Sequence, residues 1–451
     1  MSEVSETGRF VTGSIMRHVI VMTLTGALGL IFLFLVEAAT LFWVSQLGDL
    51  RLVAALGFSW TIIFFVISVG IGLSIAATAL VSRAIGEGRR FEARRIATAA
   101  MVITFVVIAG ITLVVIVLRS PILSFAGASG ETHAIAARFL LFTLPAMPLM
   151  VLGMTGSAVL RALGDAWRSM NVMLSAGAIA VVLDPVFIFW LDLGIDGAAF
   201  VMFLARSSVG ILALIYLVRV HDMLVPVGPE LVTRMLRPFF GIALPASATQ
   251  LSTPFGNYLL TLLIAQYGDS AVAGWTVVSR LTVLAFGGIY SLSGALSGII
   301  GQNFGAGLIY RVQCTFRDAL VFSAIYTFLA WGLLFLLRDT IITSFGLDAE
   351  GASVVSAFVG LAAGGFVFTG ALFCANAAFN TLGRPLWSTG LNWLRDGVLM
   401  FPIAASLGAT MGATGVIYGQ ALAGVFAGLL SAILCWRFVG GLAGAVALER
   451  A

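Results

Sequence analysis

Apolar residues run along this chain in long, nearly unbroken stretches, and short connectors between them hold most of the charged positions. The stretches lie near 19–47, 52–82, 96–118, 139–160, 169–191, 197–218, 238–266, 270–302, 319–337, 352–382, 387–408 and 412–436. At about 1.5 Å of rise per residue, each is long enough to cross about 30 Å of hydrocarbon as a helix. Only helices and closed barrels satisfy every backbone group in lipid, and these runs are too long and too uniformly apolar for barrel strands. The pattern therefore predicts an all-α membrane protein of twelve transmembrane helices. The opening segment, 1–18, is polar and carries Glu3, Glu6 and Arg9. The run after it is too long for a cleavable signal and is expected to remain as the first helix.

The pattern repeats. Gln46-Leu47-Gly48-Asp49 answers to Gln266-Tyr267-Gly268-Asp269, and Ile85-Gly86-Glu87-Gly88 to Phe304-Gly305-Ala306-Gly307. Leu163-Gly164 answers to Leu382-Gly383, and Gly194-Ile195-Asp196-Gly197 to Gly412-Ala413-Thr414-Gly415. All four matches lie 218 to 220 residues apart, a constancy that marks an internal duplication. The expected division is an N-lobe over 19–218 (helices 1–6), a connector over 219–237, a C-lobe over 238–436 (helices 7–12) and a tail over 437–451. Six helices per half insert both halves the same way up, the parallel-repeat arrangement of transporters.

Charge sets the orientation. If alternate connectors share a side with both termini, 17 Arg fall there, and only Arg51, Arg119, Arg138 and Arg338 fall opposite. Positive residues stay in the cytoplasm, so both termini are expected to be cytoplasmic, in a bacterial-type inner membrane. With 60% hydrophobic and 10% charged residues the chain cannot be a soluble globular domain, where charged residues run near about 25%. The net charge of +4 sits in short connectors and points to no nucleic acid. Cys314, Cys374 and Cys435 are scattered and indicate neither a disulfide framework nor a metal site. No Walker loop, zincin helix or nucleophile elbow occurs, so no catalytic residue, cofactor or enzymatic turnover is expected.

Against that background one stretch stands apart: Val182-Leu183-Asp184-Pro185-Val186-Phe187-Ile188-Phe189 puts a carboxylate and a proline inside a spanning run. An acid in lipid needs a partner, an ion or a proton, and proline removes a helix hydrogen bond and kinks the chain. A kinked helix with an acid at the kink can hold a cation; alternatively, Asp184 caps amides freed there. The only other acid deep in that half is Glu37. Arg206 and Arg280 also sit in apolar runs, where a charge faces a cavity, a partner or, by snorkelling, the interface. Gln250 and Asn257 add hydrogen-bonding capacity in the second half, and Met150, Met154 and Met202 offer soft apolar surface. Adjacent Arg395 and Asp396 are expected to neutralise one another. The pairs Gly70-Ile71-Gly72 and Gly364-Gly365 are hinge or packing positions.

Ile300-Gly301-Gln302-Asn303-Phe304-Gly305-Ala306-Gly307, Leu160-Arg161-Ala162-Leu163-Gly164-Asp165, Leu183-Asp184-Pro185-Val186-Phe187-Ile188-Phe189 and Gly197-Ala198-Ala199 resemble the signatures of the multidrug and toxic compound extrusion (MATE) family, over about Thr12 to Phe438. The resemblance implies two six-helix lobes and export of small organic, often cationic, compounds against entry of H⁺ or Na⁺ by alternating access. Aligning the halves puts Phe401 opposite Asp184, so the coupling ion is expected in the N-lobe, at Asp184, Glu37 and Thr40 with Pro185 as the hinge. Where many relatives carry an Asp on the first helix this chain has Thr40; Glu37, three residues earlier on the same face, is positioned to take over its role. Ala180 and Met202 replace an Asn and a Thr found in relatives, which removes hard oxygen ligands and favours H⁺ over Na⁺. The C-lobe acids of some relatives are absent, with Thr253 and Thr369 near their positions. A monomer in the lipid bilayer is expected. Two other readings stay open: a lipid-precursor flippase of the same superfamily, and a non-transporting membrane protein that kept the fold.

Overall fold

The computed structural model describes residues 8–450, without the side chains of Leu33 and residues 443–450, so Glu3 and Glu6 lie outside the described residues. The described chain is helical throughout: α1 (Ile15–Ser45), α2 (Leu50–Gly86), α3 (Arg90–Phe125), α4 (Gly130–Ala162), α5 (Ala166–Trp190) and α6 (Gly194–Val220) make the first half. The second half has α7 (Pro229–Ala265), α8 (Asp269–Gly305), α9 (Ile309–Ser344), α10 (Ala349–Gly360 and Ala362–Thr381), α11 (Pro385–Trp393, Leu394–Leu399 and Met400–Met411) and α12 (Ala413–Arg450). Among the described helices, 10 are long and apolar enough to cross a membrane by length and composition. The chain is thus a multi-pass membrane protein. Helix α12 continues past 437, where a tail was expected, because 437–450 contains no proline and the helical pattern is never interrupted.

Several helices change pitch where the sequence demands it. In α5 the α-helix ends at Pro185 and gives way to a π turn over Val186–Trp190, as expected where proline withdraws an N–H and crowds the preceding turn. In α11 the π turn Leu394–Leu399 carries Arg395 and Asp396. In α10 the chain leaves α geometry at Leu361 and passes through a 3₁₀ turn containing Gly364 and Gly365.

The chain forms two compact units. One comprises Leu28–Val81 and Arg89–Ser247; the other comprises Met1–Ala27, Ser82–Gly88 and Ala248–Ala451. These bounds differ from a cut at 219–237, for local reasons. In the first unit the connector is tied down: Arg94 pairs with Asp222 at 2.7 Å and Val225 N donates to Thr98 Oγ1 at 3.1 Å. Asp165 caps α5 by accepting from Arg168 N at 3.1 Å, and His221 Nε2 lies 2.8 Å from its other oxygen. Burial alone would raise the Asp165 carboxyl, but the bonds from His221 and Arg168 outweigh it and hold the group well below the usual carboxylate range. Gly70, singled out as hinge or packing, is packing: a Cβ there would meet Val151 at 2.6 Å.

In the second unit, the segment before α1 is strapped down. Phe10 is buried, its N–H donates to Gln302 Oε1 at 2.8 Å, and Asn303 Nδ2 donates to its carbonyl at 3.2 Å. Arg311 Nη2 donates to the carbonyls of Phe10, Thr12 and Gly13 at 3.0, 3.3 and 3.1 Å. Bonds from a charged donor contribute about 1.5–3 kcal/mol each where their loss strands an acceptor. Arg311→Ala is therefore expected to lower the thermal midpoint of the purified protein by several degrees. Arg317→Ala, whose partner is the neighbouring Asp318 at an exposed site, should leave it unchanged. Equal midpoints for the two variants, followed by tryptophan fluorescence, would count against the strap as a stabilising contact.

Candidate functional site

Helix α5 lies close against α1 because Gly177 has no side chain: a Cβ there would collide with Phe32 and sit 2.8 Å from Val36 Cγ2. One turn beyond Val36 is Thr40, and two turns beyond Gly177 is Asp184, so this crossing delivers the two side chains to one place. Thr40 Oγ1 donates to Asp184 Oδ2 at 2.5 Å, and the two residues are only 2% and 1% exposed. A third wall comes from α6, held on α4 by backbone approach at Gly153 and Gly210, where added Cβ atoms would lie 2.5 Å from the carbonyls of Val209 and Leu149. That approach brings in Arg206, buried, with Nη1 3.5 Å from Met147 Sδ.

The result is a cavity enclosing about 430 Å³, its mouth included, in which Glu37, Thr40, Asp184 and Arg206 share the wall with Met150, Ala180 and Met202. The carboxylate of Glu37 acts electrostatically on Arg206. Two acids and one guanidinium in an otherwise apolar enclosure leave at most one net negative charge, which a single proton cancels. Ala180 and Met202 bring no oxygen to this wall, so its side-chain oxygens are those of Glu37, Thr40 and Asp184, with Arg206 beside them.

The residues singled out in the sequence separate clearly. Glu37, Thr40, Asp184, Arg206 and Met202 come together on this cavity, Met150 with them, and Pro185 follows Asp184 at the pitch change. Asn257 lines a different cavity, in the second unit. Gln250 is half-buried and Arg280 exposed, and neither lines either cavity. For Arg280 the reason is its long stem, which carries the charge outward from the helix. What the residue pattern missed is that Arg395 and Asp396 are buried and line the second cavity, with Arg395 Nε 2.7 Å from Asp396 Oδ1. The available signal was the charge itself, inside the run 387–408.

The MatE family profile matches residues 27–186 and 245–406, one copy in each half. A FAD transporter of Shewanella oneidensis is 27% identical over 431 residues, 93% of each chain. The multidrug export protein MepA of Staphylococcus aureus is 24% identical over 394 residues, 85% of each chain. Among solved structures, a mutant of the Vibrio cholerae MATE transporter VcmN superposes with a TM-score of 0.89 at 25% identity, covering 94% of this chain and 96% of that one. A multidrug resistance MATE family transporter of the MOP superfamily, in an outward-facing conformation, superposes with a TM-score of 0.91 at 20% identity, covering 98% and 100%. That last likeness shows the fold.

Proposed function

Because the chain belongs to the MATE family, whose members are transporters and not enzymes, we propose that it is a secondary antiporter exporting small organic compounds in exchange for protons. The observation that carries this reading is the buried Thr40–Asp184 hydrogen bond in a cavity shared with Glu37 and Arg206. In the deprotonated state Asp184 accepts from Thr40. Protonation removes the charge and adds a donor, so the bond that ties α5 to α1 loses its charge-assisted strength. The π turn after Pro185 is where α5 can repack in response, since its backbone already departs from the regular ladder. A proton thereby biases one of two conformations, and cargo leaves through its differential affinity for them.

Ala180 and Met202, which bring no oxygen to the wall, and the repulsion of a metal cation by Arg206 support H⁺ over Na⁺ as the coupling ion. The arginine distribution supports cytoplasmic termini in an inner membrane. Relatives named for multidrug export and for FAD transport set the breadth of cargo to be tested.

The test is efflux of ethidium and of FAD from vesicles carrying the full chain, under an imposed pH gradient or an imposed Na⁺ gradient. Efflux driven by the pH gradient alone is expected. Efflux that needs Na⁺ and ignores the pH gradient would overturn proton coupling, and no gradient-dependent efflux of either compound would overturn export.

A further inference from the structure

The second unit holds a cavity larger than the one at Asp184. It encloses about 870 Å³, its open mouth included, about twice the space at Asp184. Three features of its wall restrict what can bind. Its only charges are Arg395 and Asp396, and they are already closed on each other: Nε to Oδ1 at 2.7 Å and Nη2 to Oδ2 at 2.8 Å, with Ser252 Oγ donating to Oδ2 at 3.0 Å. Adding an ion of either sign would put an uncompensated charge beside a satisfied pair in a low-dielectric interior, which is costly.

One side of the wall is aromatic and rigid. Phe366 stacks on Phe286 with ring centroids 4.1 Å apart and planes 8° from parallel, Phe358 meets Phe366 edge-on, and Trp275 is fixed by its Nε1 donating to Thr261 Oγ1 at 3.1 Å. A flat ring finds a preformed face there, at little ordering cost. The rest of the wall offers hydrogen bonds not yet made. Asn257, Ser279, Tyr290, Thr369 and Gln420 line the cavity, and among the described residues their side chains make no hydrogen bond to the protein. The two amides and the hydroxyls each supply donor and acceptor capacity, and such groups inside a membrane protein require water or a ligand.

We propose that this cavity is a binding site for an uncharged, planar heteroaromatic compound whose polar edge carries both hydrogen-bond donors and acceptors. Its role as a cargo site rests on the transporter reading above; its capacity to bind does not. The aromatic body lies on the Phe366 face, and the polar edge is read by Asn257, Tyr290 and Gln420. Selectivity against simple cations follows from the closed Arg395–Asp396 pair.

The experiment uses the full chain in nanodiscs, riboflavin as an uncharged heteroaromatic probe and ethidium as a planar cation, with binding read by calorimetry. Saturable one-to-one riboflavin binding is expected. Asn257→Leu and Gln420→Leu should each weaken it by about tenfold, and Tyr290→Phe, which removes one oxygen and keeps the shape, by about fivefold, as for the loss of one hydrogen bond. Ethidium should not compete. Absence of saturable binding up to the solubility of riboflavin, unchanged affinity in properly folded Tyr290→Phe, or equal competition by ethidium would each overturn the assignment. Proton-driven efflux, measured in parallel, separates the failures: efflux without riboflavin binding sinks only this inference, and riboflavin binding without efflux sinks only the antiporter reading.

Discussion

Asp184→Asn is expected to abolish efflux driven by a pH gradient, by at least about a hundredfold, while leaving the protein folded. The substitution keeps the shape of the side chain and a carbonyl that can accept from Thr40 Oγ1, so the α1–α5 crossing at Gly177 has no steric reason to move. What it removes is the ability to alternate between a charged and an uncharged state, the only quantity a proton-coupled mechanism uses at this residue. Cargo binding at equilibrium should survive, and the thermal midpoint should stay the same or rise, because an uncompensated buried charge has been deleted. Thr40→Val should behave differently. It leaves the carboxylate short of a donor in an apolar enclosure, a loss of about 1–3 kcal/mol in stability, and it should slow transport without eliminating its pH dependence. Glu37→Gln separates the two acids: if Glu37 alone carries the proton, it will be the inactive variant, and Asp184→Asn will retain coupled efflux. Full proton-driven efflux in Asp184→Asn with normal stoichiometry would reduce Asp184 to a structural cap at the Pro185 kink.

The fold was largely legible because its two determinants are local. Membrane-length apolar runs follow from the cost of exposed backbone groups in lipid, which no tertiary arrangement can override. The duplication was legible because each repeated motif marks a helix end: Gly164 and Gly383 stand at φ +85° and +86°, a conformation that side chains disfavour, so the same residue recurs in both halves. Gly86 and Gly305 recur for a second reason, since a Cβ on either would collide with the backbone oxygen of Gln302 or Arg83. Parts of the candidate site could be read similarly, because Asp184 beside Pro185 announces its own cost, and the i, i+3 spacing of Glu37 and Thr40 puts them on one face. That Thr40 itself bonds Asp184, rather than leaving the task wholly to Glu37, depends on the crossing at Gly177, which nothing in the local pattern encodes. The strap of Phe10 onto Gln302, Asn303 and Arg311 joins residues almost 300 apart in sequence, and polar side chains in a connector do not declare which distant carbonyl they will meet. The second cavity escaped for a related reason: Asn257, Tyr290, Thr369 and Gln420 stand singly on α7, α8, α10 and α12, and only packing brings them together.

The Arg395–Asp396 pair sets the largest expected effect on stability. Neighbouring residues on a regular helix point about 100° apart, yet here they form a two-pronged contact on the widened π turn Leu394–Leu399 of α11. Both are buried, and α7 closes over them at Gly256, where a Cβ would lie 3.0 Å from Asp396 Cβ and 2.9 Å from Met400 Cε. Removing one partner strands the other charge in a space that cannot relax around it, an effect of about 3–5 kcal/mol for buried pairs. Arg395→Met and Asp396→Asn are each expected to lower the thermal midpoint sharply and to reduce the folded yield on size exclusion. Combined in one chain they should recover most of that loss, because no unpaired charge remains, and this non-additivity is the signature of the pair. Single variants as stable as the parent would mean that water entering the cavity already solvates both charges, in which case the closed pair could no longer explain selectivity against cations. A double variant that is stable but binds ethidium in the second cavity as well as it binds riboflavin would assign that selectivity to the pair itself.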